Sequence, residues 1–197
     1  QTCLGKTGKM FGYEHEGVMP DIITFSKHFG GGLPISAVCT STKTATSAAN
    51  SGYFATRSHA TDPLLCAAGE ESIDIVIDEN LPGRAYHIEQ RIKGAFEELA
   101  RDYEMIGDIR GRGVLIGIEL VEDRETKAPA NAALSKIFDY CEAKGLIFQK
   151  RGSRHMLNVI RLVPPMTMTD KELDLGLSIL ASAIKAASKI SMKKSPN

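Results

Sequence analysis

Apolar residues recur every three or four positions along four stretches of the chain, and this spacing is typical of amphipathic helices. The longest stretch places Ile88, Ile92, Ala95, Phe96 and Leu99 on one face and Glu89, Lys93, Glu97 and Arg101 on the other. An earlier helix begins at Pro63 with Asp62 as its N-cap and carries Leu65, Ala68, Ser72, Ile73 and Val76 on one face. Pro82-Gly83 separates these two predicted helices.

Two further helices are predicted in the second half of the chain. The first runs from Ala133 to Lys144, buries Leu134, Ile137, Phe138 and Cys141, and stops at Gly145. The second opens on the capping box Thr169-x-x-Glu172 and buries Leu173, Leu177, Leu180 and Ile184. Both patterns predict helices that pack against a core, and neither pattern indicates a catalytic residue.

Short apolar runs predict strands between the helices. They cover residues 22–25, 35–40, 114–120, 146–148 and 159–163, while residues 107–113 are predicted to form a turn and the small polar residues 41–51 form no predicted element. Strands and helices therefore mix along the chain, which predicts an α/β or α+β fold. We place a domain boundary near residue 76, giving segments 1–75 and 76–197.

Composition excludes several classes of function. The chain has 197 residues, 43% hydrophobic and 24% charged, and 24 basic residues balance 24 acidic ones. Zero net charge argues against a broad nucleic-acid surface, and the absence of a run of about 18 apolar residues argues against a membrane span. The four cysteines, Cys3, Cys39, Cys66 and Cys141, are widely spaced, which favours free thiols in a reducing compartment over disulfides or a zinc site.

Lys27 is the residue with the clearest chemical potential. It follows the apolar run of residues 22–25 and precedes the triple glycine of residues 30–32. A lysine at the end of a buried strand would be desolvated, which lowers the pKa of its amine and makes it a nucleophile able to form a Schiff base with a carbonyl cofactor. The alternative is an ordinary solvated lysine in a glycine-rich loop.

A series of motifs in a fixed order resembles one enzyme family. They are Gln1-Thr2-x-x-Gly5-Lys6-Thr7-Gly8, Pro20-Asp21-Ile22-Ile23-Thr24-x-Ser26-Lys27, Gly52-Tyr53, His59-x-x-Asp62-Pro63, Ile106-Gly107-Asp108-x-Arg110-Gly111-Arg112-Gly113, Asp123-Arg124-x-Thr126-Lys127 and Arg161-x-x-Pro164-Pro165-x-Thr167. From residue 1 to about residue 188 the chain resembles the class III aminotransferases, which are pyridoxal 5'-phosphate (PLP) enzymes of fold type I. Within that family the resemblance is strongest to the 2,2-dialkylglycine decarboxylases.

The resemblance implies a fold and a set of roles. Residues 1–75 would be the C-terminal part of the large PLP-binding domain, and residues 76–197 would be the connecting helices and the small C-terminal domain. Lys27 would bind PLP as a Schiff base and shuttle a proton, and Gln1 would lie beside the cofactor ring and substrate. Ser58 would bind the cofactor phosphate of a neighbouring subunit in a homodimer or homotetramer, and Arg161 would bind the substrate carboxylate with its planar fork.

A metal site is also implied by the resemblance. In the decarboxylases an alkali-metal ion lies near the active site, and the matching positions here are Asp62, Ser58 and Ala60. Oxygen ligands suit K⁺ or Na⁺. The competing interpretation is that Asp62, which precedes Pro63, is an ordinary helix cap.

Three functions remain open from the sequence. The first is decarboxylation-coupled transamination of 2,2-dialkylglycines with pyruvate as amino acceptor. The second is an ω-aminotransferase acting on ornithine or 4-aminobutyrate. The third is an inert fragment, because the resemblance places the family's aspartate for the pyridine nitrogen upstream of Gln1. We expect a C-terminal piece of a longer, cytoplasmic protein, with any organelle-targeting signal lying upstream of Gln1.

Overall fold

A computed structural model describes residues 1–54, 57–149 and 158–191. These residues divide into two compact units, Gln1–Arg84 and Ala85–Asn197. The division follows residue 84, whereas the sequence pattern placed it near residue 76. The assignment of the segments to a cofactor-binding domain and a small domain stays a prediction.

The first unit combines a small sheet with two helices. β1 (Ile22–Ser26) and β2 (Ser36–Thr40) pair antiparallel, with Ile23 opposite Cys39 and Phe25 opposite Ala37. Short 3-10 helices cover Gly12–Glu16 and Lys27–Gly30. Both predicted strands are present, but β1 alternates between exposed and half-buried residues, and Ile22 is 57% exposed. The predicted buried strand is thus only half-buried in this structure, because a two-stranded sheet leaves one face of β1 uncovered.

Two helices follow in the first unit. α1 (Thr42–Asn50) occupies the polar stretch to which the sequence pattern assigned no element, and the Ser41 hydroxyl caps it by accepting the Thr44 N–H at 3.2 Å. α2 (Pro63–Asp78) begins as predicted, because Pro63 occupies its first turn and the Asp62 carboxylate accepts the Leu64 N–H at 3.1 Å.

The second unit builds the larger core. It contains α3 (Leu81–Asp102) from Ala85 onward, α4 (Asn131–Ala143), α5 (Asp170–Ser191) and a sheet of β3 (Ile106–Arg112), β4 (Leu115–Leu120) and β5 (Val159–Leu162). β4 is the central strand and pairs antiparallel with both neighbours. The predicted apolar helical faces meet here: Ile88, Phe96, Ile137, Cys141 and Ile184 have no exposed surface.

Four details of the second unit differ from the sequence pattern. α3 already begins at Leu81, since Pro82 is tolerated in a first helical turn. The predicted turn of residues 107–113 is mostly strand β3, because its backbone pairs with β4. Residues 146–148 form no strand. Glu89, predicted on the solvated face, is buried with 8% exposure because both of its carboxylate oxygens find partners within the protein.

Candidate active site

Lys27 lies at the junction between β1 and an open glycine turn. It adopts a left-handed conformation with φ of 60°, and Gly31 and Gly32 follow with φ of 59° and 108°. A Cβ atom added at Gly32 would meet nothing within 4 Å, so the space beside this turn is open. We call residues 27–32 the Lys27 turn.

The Lys27 side chain is exposed. The prediction of a buried, desolvated amine is therefore wrong for this structure, for the same reason that β1 is only half covered. What the Lys27 turn presents is an accessible primary amine held by a left-handed backbone. A left-handed conformation is uncommon for a residue with a Cβ atom, and such conformations concentrate at functional sites.

Helix α2 supports the Lys27 turn from one side. A Cβ atom at Gly69 would lie 2.9 Å from Cζ of Phe29 and 3.3 Å from Cδ1 of Ile35. Only a bare glycine allows α2 to approach the turn this closely. Phe29 is buried and packs edge-on against Phe25 with ring centroids 4.7 Å apart. The turn is therefore anchored by aromatic packing behind the exposed lysine.

The segment that begins at Gln1 is tied to the Lys27 turn by a polar contact. Gln1 is exposed, and two residues later the Cys3 carbonyl oxygen lies 2.8 Å from Nε2 of His28. Two of the predicted site residues, Gln1 and Lys27, thus stand on connected segments. His28 has no motif of its own, and its position after Lys27 is the only signal in the sequence that draws attention to it.

The loop that carries the predicted phosphate and metal ligands precedes α2. Ser58, His59 and Ala60 are exposed, and His59 and Thr61 adopt left-handed conformations with φ of 62° and 59°. The Ala60 carbonyl accepts the Thr61 hydroxyl at 2.6 Å. This local bond occupies one of the oxygens proposed for a metal ion.

Asp62 uses both of its carboxylate oxygens within this loop. Oδ1 accepts the Leu64 N–H, and Oδ2 lies 3.3 Å from Nδ1 of His59. Over residues 1–54, 57–149 and 158–191, no cluster of three or more His, Cys, Asp or Glu side chains could hold a metal ion. The helix-cap interpretation of Asp62 is confirmed, and the alkali-metal ion stays a prediction.

Arg161 lies on β5 in the second unit. Its Nη1 donates to the Gln149 side-chain oxygen at 3.3 Å, and within the described part of the chain no carboxylate pairs with it. A cleft of about 550 Å³ opens beside the guanidinium. Its walls are mainly apolar and include Leu146, Phe148, Leu162, Val163, Pro164, Leu173 and Leu177. The arrangement suits an anion with an apolar body.

Arg110 has a structural role. Its Nη1 lies 2.6 Å from both Asp108 Oδ2 and Glu119 Oε2, which join β3 to β4 across the sheet surface. Hydrogen bonds from Arg110 to Asp108 and Glu119 raise the pKa of its guanidinium, although partial burial opposes them. Because this charge is already neutralised by two carboxylates, Arg110 is poorly suited to bind a substrate anion.

A family model described as "Aminotransferase class-III" matches residues 1–184. The chain belongs to the class III aminotransferase family. It is 38% identical over 181 residues to the 5-aminovalerate aminotransferase DavT of Pseudomonas aeruginosa, a match covering 92% of this chain and 42% of that protein. It is 33% identical over 187 residues to the 4-aminobutyrate aminotransferase GabT of Escherichia coli, covering 95% of this chain and 43% of that protein.

Solved structures agree with the family assignment. An aminotransferase from Bacillus anthracis superposes with a TM-score of 0.86 at 30% identity, covering 94% of this chain and 43% of that one. The predicted fold class, α/β of the fold type I PLP-dependent transaminases, is confirmed. The chain spans less than half the length of the relatives it matches. A special similarity to dialkylglycine decarboxylases is not among these findings.

The residues of the Lys27 turn fit the cofactor that the family implies. PLP carries an aldehyde, and the turn offers an exposed primary amine beside an open space that no side chain fills. In the part of the chain that the structure describes, no helix is long and apolar enough to cross a membrane.

Proposed function

We propose that this chain contributes the lysine and arginine sites of a PLP-dependent aminotransferase that moves the amino group of an ω-amino acid to a 2-keto acid. The observation that carries the proposal is the exposed Lys27 amine on its open glycine turn. The similarity to aminotransferases of 5-aminovalerate and 4-aminobutyrate supports this substrate class over 2,2-dialkylglycines.

Lys27 would hold PLP covalently and then act as the general acid and base that moves a proton at the substrate carbon. PLP supplies the electron sink for this chemistry when it is bound. The Gln1 amide would contact the cofactor ring. The left-handed backbone of Lys27 sets the direction in which its side chain leaves the turn.

Arg161 would bind the substrate carboxylate. Its present partner is the neutral Gln149 amide at 3.3 Å, a long hydrogen bond that a charged carboxylate can replace with two stronger ones. The apolar walls of the adjacent cleft suit the methylene chain of an ω-amino acid. The Arg161 guanidinium and the apolar walls support a carboxylate with an aliphatic body, and the acidic residue Glu172 also lines the cleft.

Decarboxylation of 2,2-dialkylglycines, with pyruvate as acceptor, is the second candidate. Ser58, Ala60 and Asp62 lie within five residues on one exposed or half-buried loop, and His59 and Thr61 between them have left-handed backbones. We rank this candidate second because Asp62 already caps α2 and the Ala60 carbonyl already accepts a hydroxyl.

Ser58 would bind the cofactor phosphate of a neighbouring subunit, so the active form would be a homodimer or a dimer of dimers. Mixing Lys27→Ala protein with Ser58→Ala protein tests this arrangement. Subunit exchange should create one intact site in each mixed dimer and restore activity that neither variant has alone. If Ser58 served its own subunit, mixing would restore nothing.

The decisive experiment uses the natural full-length protein incubated with PLP, reduced with borohydride and digested for mass spectrometry. A phosphopyridoxyl adduct is expected on Lys27 and absent in Lys27→Ala, while Lys43→Ala, an exposed lysine on α1, keeps it. Transfer of the amino group from 5-aminovalerate or 4-aminobutyrate to a 2-keto acid would support the first candidate. Carbon dioxide released from 2-aminoisobutyrate would support the second, and an unmodified Lys27 would contradict both.

A further inference from the structure

His28 makes a hydrogen bond that joins two distant stretches of the first unit. Its Nε2 lies 2.8 Å from the Cys3 carbonyl oxygen and 3.9 Å from the Cys3 thiol sulfur. A carbonyl oxygen can only accept, so Nε2 carries the hydrogen and donates it. Cys3 lies two residues after Gln1, and His28 lies one residue after Lys27. The bond therefore links the segment that begins at Gln1 to the Lys27 turn, close to both proposed site residues.

The Cys3 end of this bond is itself firmly held. Cys3 is buried and forms an antiparallel bridge with Phe11. A Cβ atom at Gly12 would lie 2.8 Å from Cβ of Thr2, so the backbone there is in close contact with the first residues. Moving the Cys3 carbonyl would therefore move the residues around it, including Gln1.

The His28 end is held as well. Its neighbour Phe29 is buried and packs on Phe25, whose ring centroid lies 6.1 Å from that of Phe11. Aromatic packing thus brings the two segments together, but ring contacts are less directional than a hydrogen bond and leave the relative position of the two backbones less well defined. The directional His28 hydrogen bond supplies the register.

Positive groups surround the imidazole. Burial is the largest influence and lowers the pKa of His28, and the charges of Lys6 and Lys27 lower it further, while the bond to the Cys3 carbonyl opposes them. The neutral ring with its hydrogen on Nε2 is therefore the form favoured at neutral pH. It can donate to Cys3 without adding a third positive charge to those of Lys6 and Lys27.

We propose that His28 is a positioning residue that sets the place of Gln1 relative to Lys27 through the Cys3 carbonyl. The inference rests on the proposed function, which gives Gln1 and Lys27 their roles at the cofactor. His28 itself need not touch the cofactor. Its contribution is to hold the amide of Gln1 in register with the Lys27 turn.

The test compares three variants of the natural full-length protein. His28→Leu removes the donor, and His28→Gln keeps an N–H at the end of a similarly long side chain. His15→Leu is the matched control, because Nε2 of His15 also contacts a backbone carbonyl in this unit, that of Thr7 at 3.0 Å. Hydrogen–deuterium exchange of residues 1–5 and the visible absorption of the PLP-loaded protein as a function of pH are the readouts.

We expect His28→Leu to speed exchange in residues 1–5 about fivefold, the effect of losing one typical hydrogen bond. We also expect it to shift the pH midpoint of the visible band, with both changes largely reversed in His28→Gln. His15→Leu should leave the midpoint unchanged, since a general loss of stability does not move it. An unchanged midpoint in His28→Leu, or an equal shift in His15→Leu, would overturn the proposal. Absence of any visible band in the unmutated protein would instead overturn the proposed function.

Discussion

The carboxylate of Glu89 accepts the backbone N–H of Gly113, so that a side chain from α3 holds the turn between β3 and β4. The other oxygen of Glu89 lies 2.6 Å from Nζ of Lys93, which also donates to the Gly111 carbonyl at 2.8 Å. A partly buried ion pair therefore holds both sides of the turn. Removing Glu89 is costly because the buried Gly113 N–H loses its acceptor.

Glu89→Ala should lower the free energy of unfolding by about 1–3 kcal/mol, since it leaves the buried Gly113 N–H without its acceptor, while Lys93 keeps its hydrogen bond to the Gly111 carbonyl. Glu89→Gln should cost less, because its amide oxygen still accepts one hydrogen bond. Urea unfolding followed by circular dichroism measures the difference. Glu97→Ala on the exposed face of α3 is the control and should change stability by no more than about 0.5 kcal/mol. Equal losses at the two positions would contradict the role of Glu89.

Gly111 occupies a position that no other residue can take. Its φ is 135°, and a Cβ atom there would lie 2.0 Å from the Leu115 carbonyl oxygen. Gly111→Ala should therefore cost about 3 kcal/mol or more, because both the backbone conformation and the contact across the hairpin must give way.

Gly94 provides the opposite case for the same substitution. It lies inside α3, and an added Cβ atom would meet nothing within 4 Å. Gly94→Ala should raise the melting temperature by adding up to about 1 kcal/mol through helix propensity. A stabilised Gly111→Ala protein would show that the hairpin tolerates a side chain, contrary to its geometry.

Arg161→Lys tests the proposed carboxylate site. Lysine keeps the positive charge but cannot form two parallel hydrogen bonds, so kcat/KM for the keto acid should fall about 10- to 100-fold. Arg101→Lys, an exposed change in the last turn of α3, should leave kcat/KM unaltered. An Arg161→Lys enzyme with normal KM and kcat would remove Arg161 from the substrate site.

Stability in acid should depend on the cap of α5. The backbone N–H of Thr169 and its hydroxyl both donate to Glu172, at 2.8 and 2.7 Å, and these bonds lower the pKa of Glu172. Because the folded protein favours the charged carboxylate, this stabilisation is complete above the ordinary pKa of glutamate. It is lost as the pH falls through the lowered value.

Glu172→Gln should therefore destabilise the protein at neutral pH, and the difference should shrink as the pH falls through the lowered pKa of Glu172, where the carboxyl of the unmutated protein becomes protonated. Thermal unfolding of both proteins from neutral pH into acid measures the effect. A gap between the two melting temperatures that stays constant in acid would show that the charge of Glu172 does not contribute.

The four thiols should react at different rates. Cys39 and Cys66 are exposed, whereas Cys3 and Cys141 are buried, and burial raises the pKa of Cys141 to about 11. Since the thiolate is the reactive form, iodoacetamide at about pH 8 should modify Cys39 and Cys66 first and Cys141 only after denaturant is added. Mass spectrometry of the native protein with time checks this order. Rapid native labelling of Cys141 would mean that the core of the second unit opens readily.

Local patterns predicted most of the elements and pointed to Lys27 as the leading candidate site residue, a role that stays a prediction. The caps of α2 and α5, the apolar face of α3 and the end of α4 at Gly145 depend on neighbours within one or two helical turns, so they can be recognised without the fold. Lys27 was identified by the order of an apolar run, a lysine and three glycines. The family resemblance supplied Gln1, Ser58 and Arg161, whose individual roles stay predictions.

Other features depended on the tertiary structure, because their partners are far apart in the chain. The β3 pairing replaced a predicted turn, since glycines and arginines carry little strand preference and only the contact with β4 makes this segment a strand. Glu89 is buried and not solvated because the backbone N–H of Gly113, 24 residues later in the chain, donates to its carboxylate. Likewise, Lys27 is exposed because a sheet of only two strands cannot be covered on both faces. The hydrogen bond between His28 and the Cys3 carbonyl joins residues 25 positions apart, so the sequence alone did not predict it.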